Sequence, residues 1–470
     1  MNQFSISSPF QSRMQSRSMG VKLILVCALA LLMMIPALFV WALISDRTDR
    51  KAAVVREISD HVGGQQTFLG PVLAIPYTIP AKIPSHRDEQ GTYLVFPAQA
   101  SATAKTTTEE HRRSLFKVPV FQVSLDMSAS FDLTGILAAA PADAQFDWSH
   151  AEMMIGVSDA RGAQADALLT ANGKTSTLAP ASLAVNMQMG NDRGEPLKLT
   201  LFGTEVGDLA KPGAQFEATS YLRFSGAQRI AVLAYGKTTH LAMQGDWPNP
   251  SFDGGFLPVS HSENSQGFTA EWSVPFMARG VRAEGVSSSI TGLDAAALGV
   301  SFVEVADPYQ SVTRSLKYVP LFVGLLFLSY FVFEVTSGKR VHPAQYLLVG
   351  VAQIIFYLLL LALAERIGFD FGFLIAGAAT VVLLAANAGW IFASRPQGFR
   401  ALAVFTFLYV LIYLLLRLED NALLVGAIAS FAAVAAAMYC TRGIDWYSSL
   451  PDLASPQPIA GPLAGGGDAK

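Results

Sequence analysis

Apolar residues in this chain follow two regimes. Near the start and through the last third they run almost unbroken for about 18–24 residues at a time, the length that carries a helix across a hydrocarbon core of about 30 Å. Between these regions they alternate with polar residues at a period of two, in short runs bounded by Gly, Pro and polar turns. The long runs are Val21–Ile44, Tyr318–Val335, Ala344–Ala364, Phe371–Ala393, Ala401–Leu418 and Asn421–Tyr439. They predict six transmembrane helices, with a separate domain inserted between helices 1 and 2.

The inserted part reads as β-rich. Asp46–Gly64 continues the first helix, with Val55, Ile58 and Val62 as a stripe and Gly63-Gly64 as its stop. Gly70–Ile79 is strand-like, and Pro71 and Pro76 point to an edge or a strand start. Val118–Met127 alternates most clearly, and Leu183–Met189 alternates too. Ala151–Val157, Leu197–Phe202, Phe216–Phe224, Ile230–Ala234 and Thr239–Met243 read as further short strands. Such spacing suggests a sandwich-like, antiparallel domain. The expected fold is therefore a membrane protein of α plus β class. Its parts are a cytoplasmic segment 1–20, helix 1 over 21–44, a periplasmic β-rich domain 45–317, a five-helix domain 318–439 and a largely disordered cytoplasmic tail 440–470.

Charge supplies the orientation. Arg13, Arg17 and Lys22 precede or open the first run without an acidic residue, which places the N-terminus in the cytoplasm. The first run is too long for a signal-peptide core and lacks a small-x-small exit, so it reads as an uncleaved anchor. Alternate counting then puts Lys339, Arg340, Arg395, Arg400 and Arg442 inside and the mainly acidic Glu365–Asp370 and Leu418–Asp420 loops outside. Charged residues make up 15% of the chain, below the usual quarter or so, and the net charge of −3 offers no basic field for nucleic acid. Cys27 and Cys440 both fall in or beside membrane runs and read as inert core thiols.

Candidate chemistry is sparse. Ala231–Thr238 nearly spells a phosphate-binding loop, but alanine replaces the first glycine and no long helix follows, so it reads as a strand and turn. Asp246, Trp247, Asp253, Glu263, Glu271 and Trp272 combine stacking faces with acids, as a glycan- or partner-contacting groove would. The competing structural reading has the tryptophans filling a β core and the acids capping turns. The histidines are scattered, with no zinc spacing, and no nucleophile motif stands out; no cofactor or metal is expected. His342 and Pro343 suit the cap and first turn of the third crossing, and Gln345 and Glu365 sit at the same helix's two ends. Gln353 and Asn387 are the polar residues expected far from either surface, bonding between helices. Glu334, Glu365, Arg366 and Arg417 are expected to reach the headgroups. The lack of ionisable groups at mid-membrane argues against ion-coupled transport.

Several runs resemble the CreD family of bacterial inner-membrane proteins. They include Phe331-Val-Phe-Glu334, His342-Pro-Ala-Gln-Tyr-Leu-Leu-Val-Gly350, Ala364-Glu365 and Ile444-Asp-Trp-Tyr447. In the inserted domain they include Gly63-Gly-Gln65, Gly70-Pro-Val-Leu73, Phe116-Lys-Val-Pro-Val120, Trp247-Pro-Asn-Pro-Ser-Phe252 and Gly267-Phe268, with Ser114 where the family pattern has glycine. The resemblance implies a protein tied to cell-envelope integrity and the response to cell-wall stress, with no catalytic residues to carry over. The leading expectation is a non-enzymatic inner-membrane protein whose partners are membrane lipids and cell-wall or other envelope components. The alternatives are a lipid or glycan transporter or flippase using the bundle, and a glycan-acting periplasmic enzyme.

Overall fold

The computed structural model describes residues 19–82, 87–113, 116–187, 197–303, 308–417 and 422–442. The basic residues Arg13 and Arg17, Ser114, Met189, the Leu418–Asp420 loop and the tail with Ile444–Tyr447 lie outside them. The chain divides into two units, one formed by Met1–Thr48 with Ala306–Lys470 and the other by Asp49–Val305.

Two helices open the chain, α1 (Met19–Leu32) and α2 (Met34–Val62). The single-residue break at Met33 has a local cause. Pro36 has no N–H to give the Leu32 carbonyl and its ring crowds that carbonyl, so the ladder is interrupted one turn upstream. α2 stops at Gly63 (φ 93°) and Gly64 (φ 60°), conformations that favour glycine.

The second unit is built from two sheets around one hydrophobic core. The main path of the first runs Pro250–Gly254, Ala297–Phe302, Arg229–Leu233, Gln66–Ile79, Glu152–Val157, Thr200–Glu205 and Ala179–Pro180. Glu89–Val95 also pairs with Gln66–Ile79 and in turn carries Glu284–Val286. The second sheet runs Ser260–Asn264, Gly267–Val274, Thr238–Gly245, Gln99–Arg113, Phe116–Asp132, Gln215–Ala227, Leu168–Ala171 and Lys174–Thr177. Aromatic pairs such as Phe68 with Phe224 (5.4 Å) and Phe121 with Phe302 (5.2 Å) join the two inner faces.

Three expectations change here. Gln66–Ile79 is a central strand, buried almost throughout, rather than an edge or a strand start. Pro71 is tolerated because it falls inside the register shift between Leu69 and Val72, where a missing donor costs no ladder bond. The sheets are not purely antiparallel, since Gln66–Phe68 runs parallel to Ile230–Val232, and Gln99–Thr106 parallel to Thr238–Gly245. Residues 183–187 keep the predicted alternation, with Leu183, Val185 and Met187 turned to the core, but they join no ladder. Side chains answer that backbone instead: Thr92 Oγ1 donates to the Ala184 carbonyl (2.7 Å) and the Asn186 N–H meets Ser287 Oγ (3.4 Å).

Tyr235 ties the sheets together. Its ring lies over Gly70, where a Cβ would sit 2.5 Å from the ring, and its hydroxyl reaches the carbonyls of Ser101 (2.7 Å) and Ser128 (2.9 Å) in the second sheet. Glycine at position 70 is thus required for space. A one-turn helix, α3 (Phe276–Arg279), follows the strand Gly267–Val274.

The helical unit resumes with α4 (Pro308–Lys317), amphipathic, with Tyr309, Val312, Ser315 and Leu316 buried along one face. Five longer helices follow: α5 (Val319–Ser337), α6 (Pro343–Ile367), α7 (Phe369–Ile391), α8 (Arg395–Arg417) and α9 (Ala422–Thr441). α6 and α7 are separated by Gly368 alone (φ 84°). Among the described residues, 5 helices are long and apolar enough to cross a membrane: Gly20–Val62 taken as one, and α5 to α8. Leu424–Tyr439, within α9, forms a shorter apolar helix.

Candidate functional site

Polar side chains inside the helical unit are tied to one another. Glu334 on α5, expected at the headgroups, is 3% exposed instead. It pairs with Lys22 of α1 and accepts from the Val341 N–H (2.8 Å) and the Tyr346 hydroxyl (2.9 Å). The packing of α1 against α5 brings the lysine to it, a contact across 312 positions. Tyr409 donates to Gln353 Oε1 (2.8 Å), Tyr330 donates to the Leu384 carbonyl (2.8 Å), and Asn387 reaches the Tyr330 hydroxyl (3.4 Å). His342 is the N-cap of α6, its Nδ1 accepting from the Ala344 N–H (3.2 Å), with Pro343 in the first turn. Gln345 N–H donates to the His342 carbonyl (2.9 Å), and Glu365 accepts from Tyr309 on α4 (2.8 Å). Cys27 is free and exposed on α1, not in a core; the side chain of Cys440 lies outside the described residues.

The aromatic and acidic residues singled out in 246–272 are distributed over both sheets. Trp272 is buried and gives its Nε1–H to the Phe256 carbonyl (3.1 Å), while the half-buried Trp247 gives its own to Val303 (3.2 Å). Asp253, on the first sheet, pairs with Arg229 (2.8 Å) and accepts from Ser301. Glu271, on the second, accepts from Ser260 (3.1 Å), and Asp246 caps the Thr108 N–H (2.8 Å). Glu263 lies 4.0 Å from His261. Ala231–Thr238 forms a strand end and a turn, in which Gly236 N–H donates to Thr239 Oγ1 (3.0 Å).

The unit's polar cleft lies elsewhere. It encloses about 640 Å³ and is lined by Glu89, Gln90, Thr92, Asp147, His150, Ser182, Asn186, Glu205 and Ser287, among others. Its charged lining consists of three carboxylates and one histidine. The sequence held one local hint. Asp147-Trp-Ser-His150 is an Asp-capped turn, and Asp147 accepts from the Ser149 N–H (3.1 Å) at the head of a 3₁₀ turn. That Asp147 and His150 line one cleft with Glu89 and Glu205 depends on strand pairing that no local pattern announces.

The Asp147–Ser149–His150 group superficially suggests a nucleophile and base. However, Asp147 (2.7 Å) and Ser149 (3.2 Å) both meet His150 at Nδ1, and the serine hydroxyl donates to Asp147. A serine activated by histidine would meet the other ring nitrogen. The arrangement is a carboxylate–imidazole pair, ionic when His150 is protonated. Hydrogen bonds from Ser149 and then His150 hold the Asp147 carboxyl down to about 2, and the carboxylate raises His150 above its ordinary value.

The Asp147 contribution is complete above its unfolded value of 3.8 and is lost as pH falls toward about 2. The His150 contribution is complete below 6.5 and is lost as pH rises through its raised folded value. Imidazole proton resonances are expected to report a His150 midpoint above 6.5, and Asp147→Asn is expected to return it to about 6.5. A midpoint unmoved by that substitution would remove the pairing.

Arg279, in α3, is 4% exposed, and its three guanidinium nitrogens have no hydrogen-bond partner among the described residues. The group lies over the Phe96 ring, 4.3 Å from its centre. Burial alone pulls it down to about 10, so it keeps its charge at neutral pH. Among the described residues no group of three His, Cys, Asp or Glu is placed to hold a metal ion.

A family model described as "Inner membrane protein CreD" matches residues 18–447. The inner membrane protein CreD of Escherichia coli (strain K12) is 30% identical over 436 residues, which cover 90% of this chain and 93% of that protein. The match takes in both the helices and the two-sheet unit, and the chain belongs to the CreD family of inner membrane proteins.

Proposed function

We propose that this multi-pass inner-membrane protein is a non-enzymatic support of cell-envelope integrity and of the response to cell-wall stress. In this reading the chain crosses the membrane six times, with α9 as the last crossing and both termini in the cytoplasm. The two-sheet unit is then a periplasmic sandwich that contacts wall or other envelope components. Basic Lys339 and Arg340 between α5 and α6, and Arg395 and Arg400 at the start of α8, support that orientation. One observation carries the proposed role: the two-sheet unit holds an open polar cleft lined by carboxylates, in which Asp147 and His150 pair with each other. Such a cleft suits binding of amine- or hydroxyl-bearing envelope material.

The test is capture on the full chain in detergent, using purified wall fragments and envelope proteins. Retention by the native protein and its loss with Glu89→Gln and Glu205→Gln together are expected. Equal recovery with and without the two carboxylates would overturn the role of the cleft. A second reading has one observation in its favour. An apolar groove of about 500 Å³ lies between α7 and α8, lined by Leu374, Gly377, Ala378, Val381, Tyr409 and Tyr413 among others, and would suit a lipid chain in a flippase. Translocation of labelled lipid by the protein in vesicles would replace the first reading with this one.

A further inference from the structure

The strand Glu89–Val95 is covered along only part of its outer edge. Glu284–Val286 lies beside Tyr93, Leu94 and Val95, and among the described residues no strand lies beside 89–92 on that side. Ladder phase decides which groups stand there. Pro76, opposite Thr92, has no N–H to exchange, and its carbonyl takes the Asp147 N–H on its other side (2.9 Å). Pro76 and Thr92 are therefore a non-hydrogen-bonded pair, and so, two positions on, are Thr78 and Gln90. The N–H groups of Gln90 and Thr92 thus point away from Gln66–Ile79, toward the open edge. The polar cleft lies at this place. Gln90 and Thr92 line it beside Ser287 and Ser288, where the covering strand turns off into a 3₁₀ turn. Ser182, Ala184 and Asn186, from a stretch that joins no ladder, line it as well. Strand backbone left without a neighbour is a template for another extended chain.

We propose that the cleft takes a short extended peptide bearing a free ammonium, which adds as a strand along Gln90 and Thr92. This rests on the envelope-binding reading of the cleft and narrows it to the peptide part of the wall. Length sets the first limit. The open edge covers residues 89–92, about 13 Å of strand, which suits a short peptide better than a full protein strand. Charge sets the second. The charged lining is Glu89, Asp147, His150 and Glu205. His150 already engages Asp147 (2.7 Å), which leaves Glu89 and Glu205, neither in an ion pair among the described residues. Arg87 stands two positions before Glu89 but outside the lining. Carboxylates without a counter-charge favour an ammonium over a hydroxyl. In strand addition the main-chain hydrogen bonds supply affinity and the side-chain sites supply selectivity.

The experiment measures binding of a fluorescent, capped tetrapeptide amide, one lysine among alanines, to the full chain in detergent. Binding is expected, and acetylating the lysine should weaken it about fivefold. Methylating two adjacent backbone nitrogens of the probe removes a donor facing the edge in either register and leaves the charge alone. It should weaken binding about fivefold too. Gln90→Pro removes an N–H that the neighbouring strand does not use, so it should keep the native melting temperature and lose about as much affinity. Equal binding of methylated and parent probes would overturn strand addition, whether or not the proline variant folds. Equal binding of acetylated and parent probes would overturn the ammonium. Wall fragments stripped of their peptides by an amidase separate this inference from the broader reading, and their retention is expected to be lost. Undiminished retention, or retention of intact fragments with no binding of the probe, would overturn the peptide ligand and leave a wall-binding cleft. No retention of intact fragments would remove both.

Discussion

Replacing Glu334 by alanine is expected to destabilise the helical unit by about 3–5 kcal/mol, the cost of removing one partner from a buried ion pair. The carboxylate is the common acceptor for Lys22, the Val341 N–H and the Tyr346 hydroxyl, and all three lose it together. Lys22 belongs to α1 and Tyr346 to α6, so the substitution loosens three helices at one point. Glu334→Gln keeps the shape and an acceptor while removing the charge, and should fall between. Adding Lys22→Met to Glu334→Gln should recover part of the loss, since no ammonium is then left without its counter-charge. Thermal melts of the protein in detergent measure the series. An alanine variant that melts with the native protein would show that the pair contributes nothing net.

Gly63→Ala is the other substitution with a large expected effect, about 2–6 kcal/mol. Two costs combine: a left-handed φ of 93° that a side chain resists, about 1–3 kcal/mol, and overpacking, about 1–3 kcal/mol. The new Cβ would lie 2.5 Å from the Gly162 Cα and 2.6 Å from its nitrogen. Gly162 cannot yield, because the space where its own Cβ would be is closed by the Ser225 carbonyl at 2.3 Å. Both glycines surround the buried Gln66 amide, which donates to the carbonyls of Gly63 (2.7 Å) and Asp159 (2.9 Å). Gly213→Ala is the control. Its φ is also left-handed, at 81°, but a Cβ there meets nothing within 4 Å, so only the conformational cost applies. Urea or thermal unfolding of the full protein should separate the two. Equal effects at 63 and 213 would mean that the close approach to Gly162 relaxes at no cost.

The contrast between those glycines shows what a sequence can carry. Gly63-Gly64 was legible as a helix stop, because the end of a helical stripe followed by glycine is a local signal. Its contact with Gly162 was not, since that depends on which strands pair. The same division runs through the molecule. Unbroken apolar runs marked the long helices, and alternation marked the strands and even the inward faces of Leu183, Val185 and Met187. Proline misled at Gln66–Ile79, because a bulge can absorb a missing donor inside a sheet as well as an edge can. Glu334 was misplaced for a related reason. Position along a helix suggests depth, while burial depends on a partner such as Lys22 arriving from a distant segment. In the candidate site, Asp147 and His150 carried a turn signal, and their facing carboxylates Glu89 and Glu205 carried none.

The order of strands in the first sheet bears on how the chain reaches its final state. Gln66–Ile79 emerges early, yet its parallel neighbour Ile230–Val232 follows more than 150 residues later, and the adjoining Ala297–Phe302 is the last strand among the described residues. Such distant pairings make assembly slow, because loop closure must precede the contacts that reward it. During synthesis the early strands must wait, bound at one end to an inserted helix, with their edges open to wrong partners. A holding chaperone is therefore most needed in the interval before residue 302 appears, and a chain ended short of Ala297 should remain a protease-sensitive, aggregation-prone intermediate.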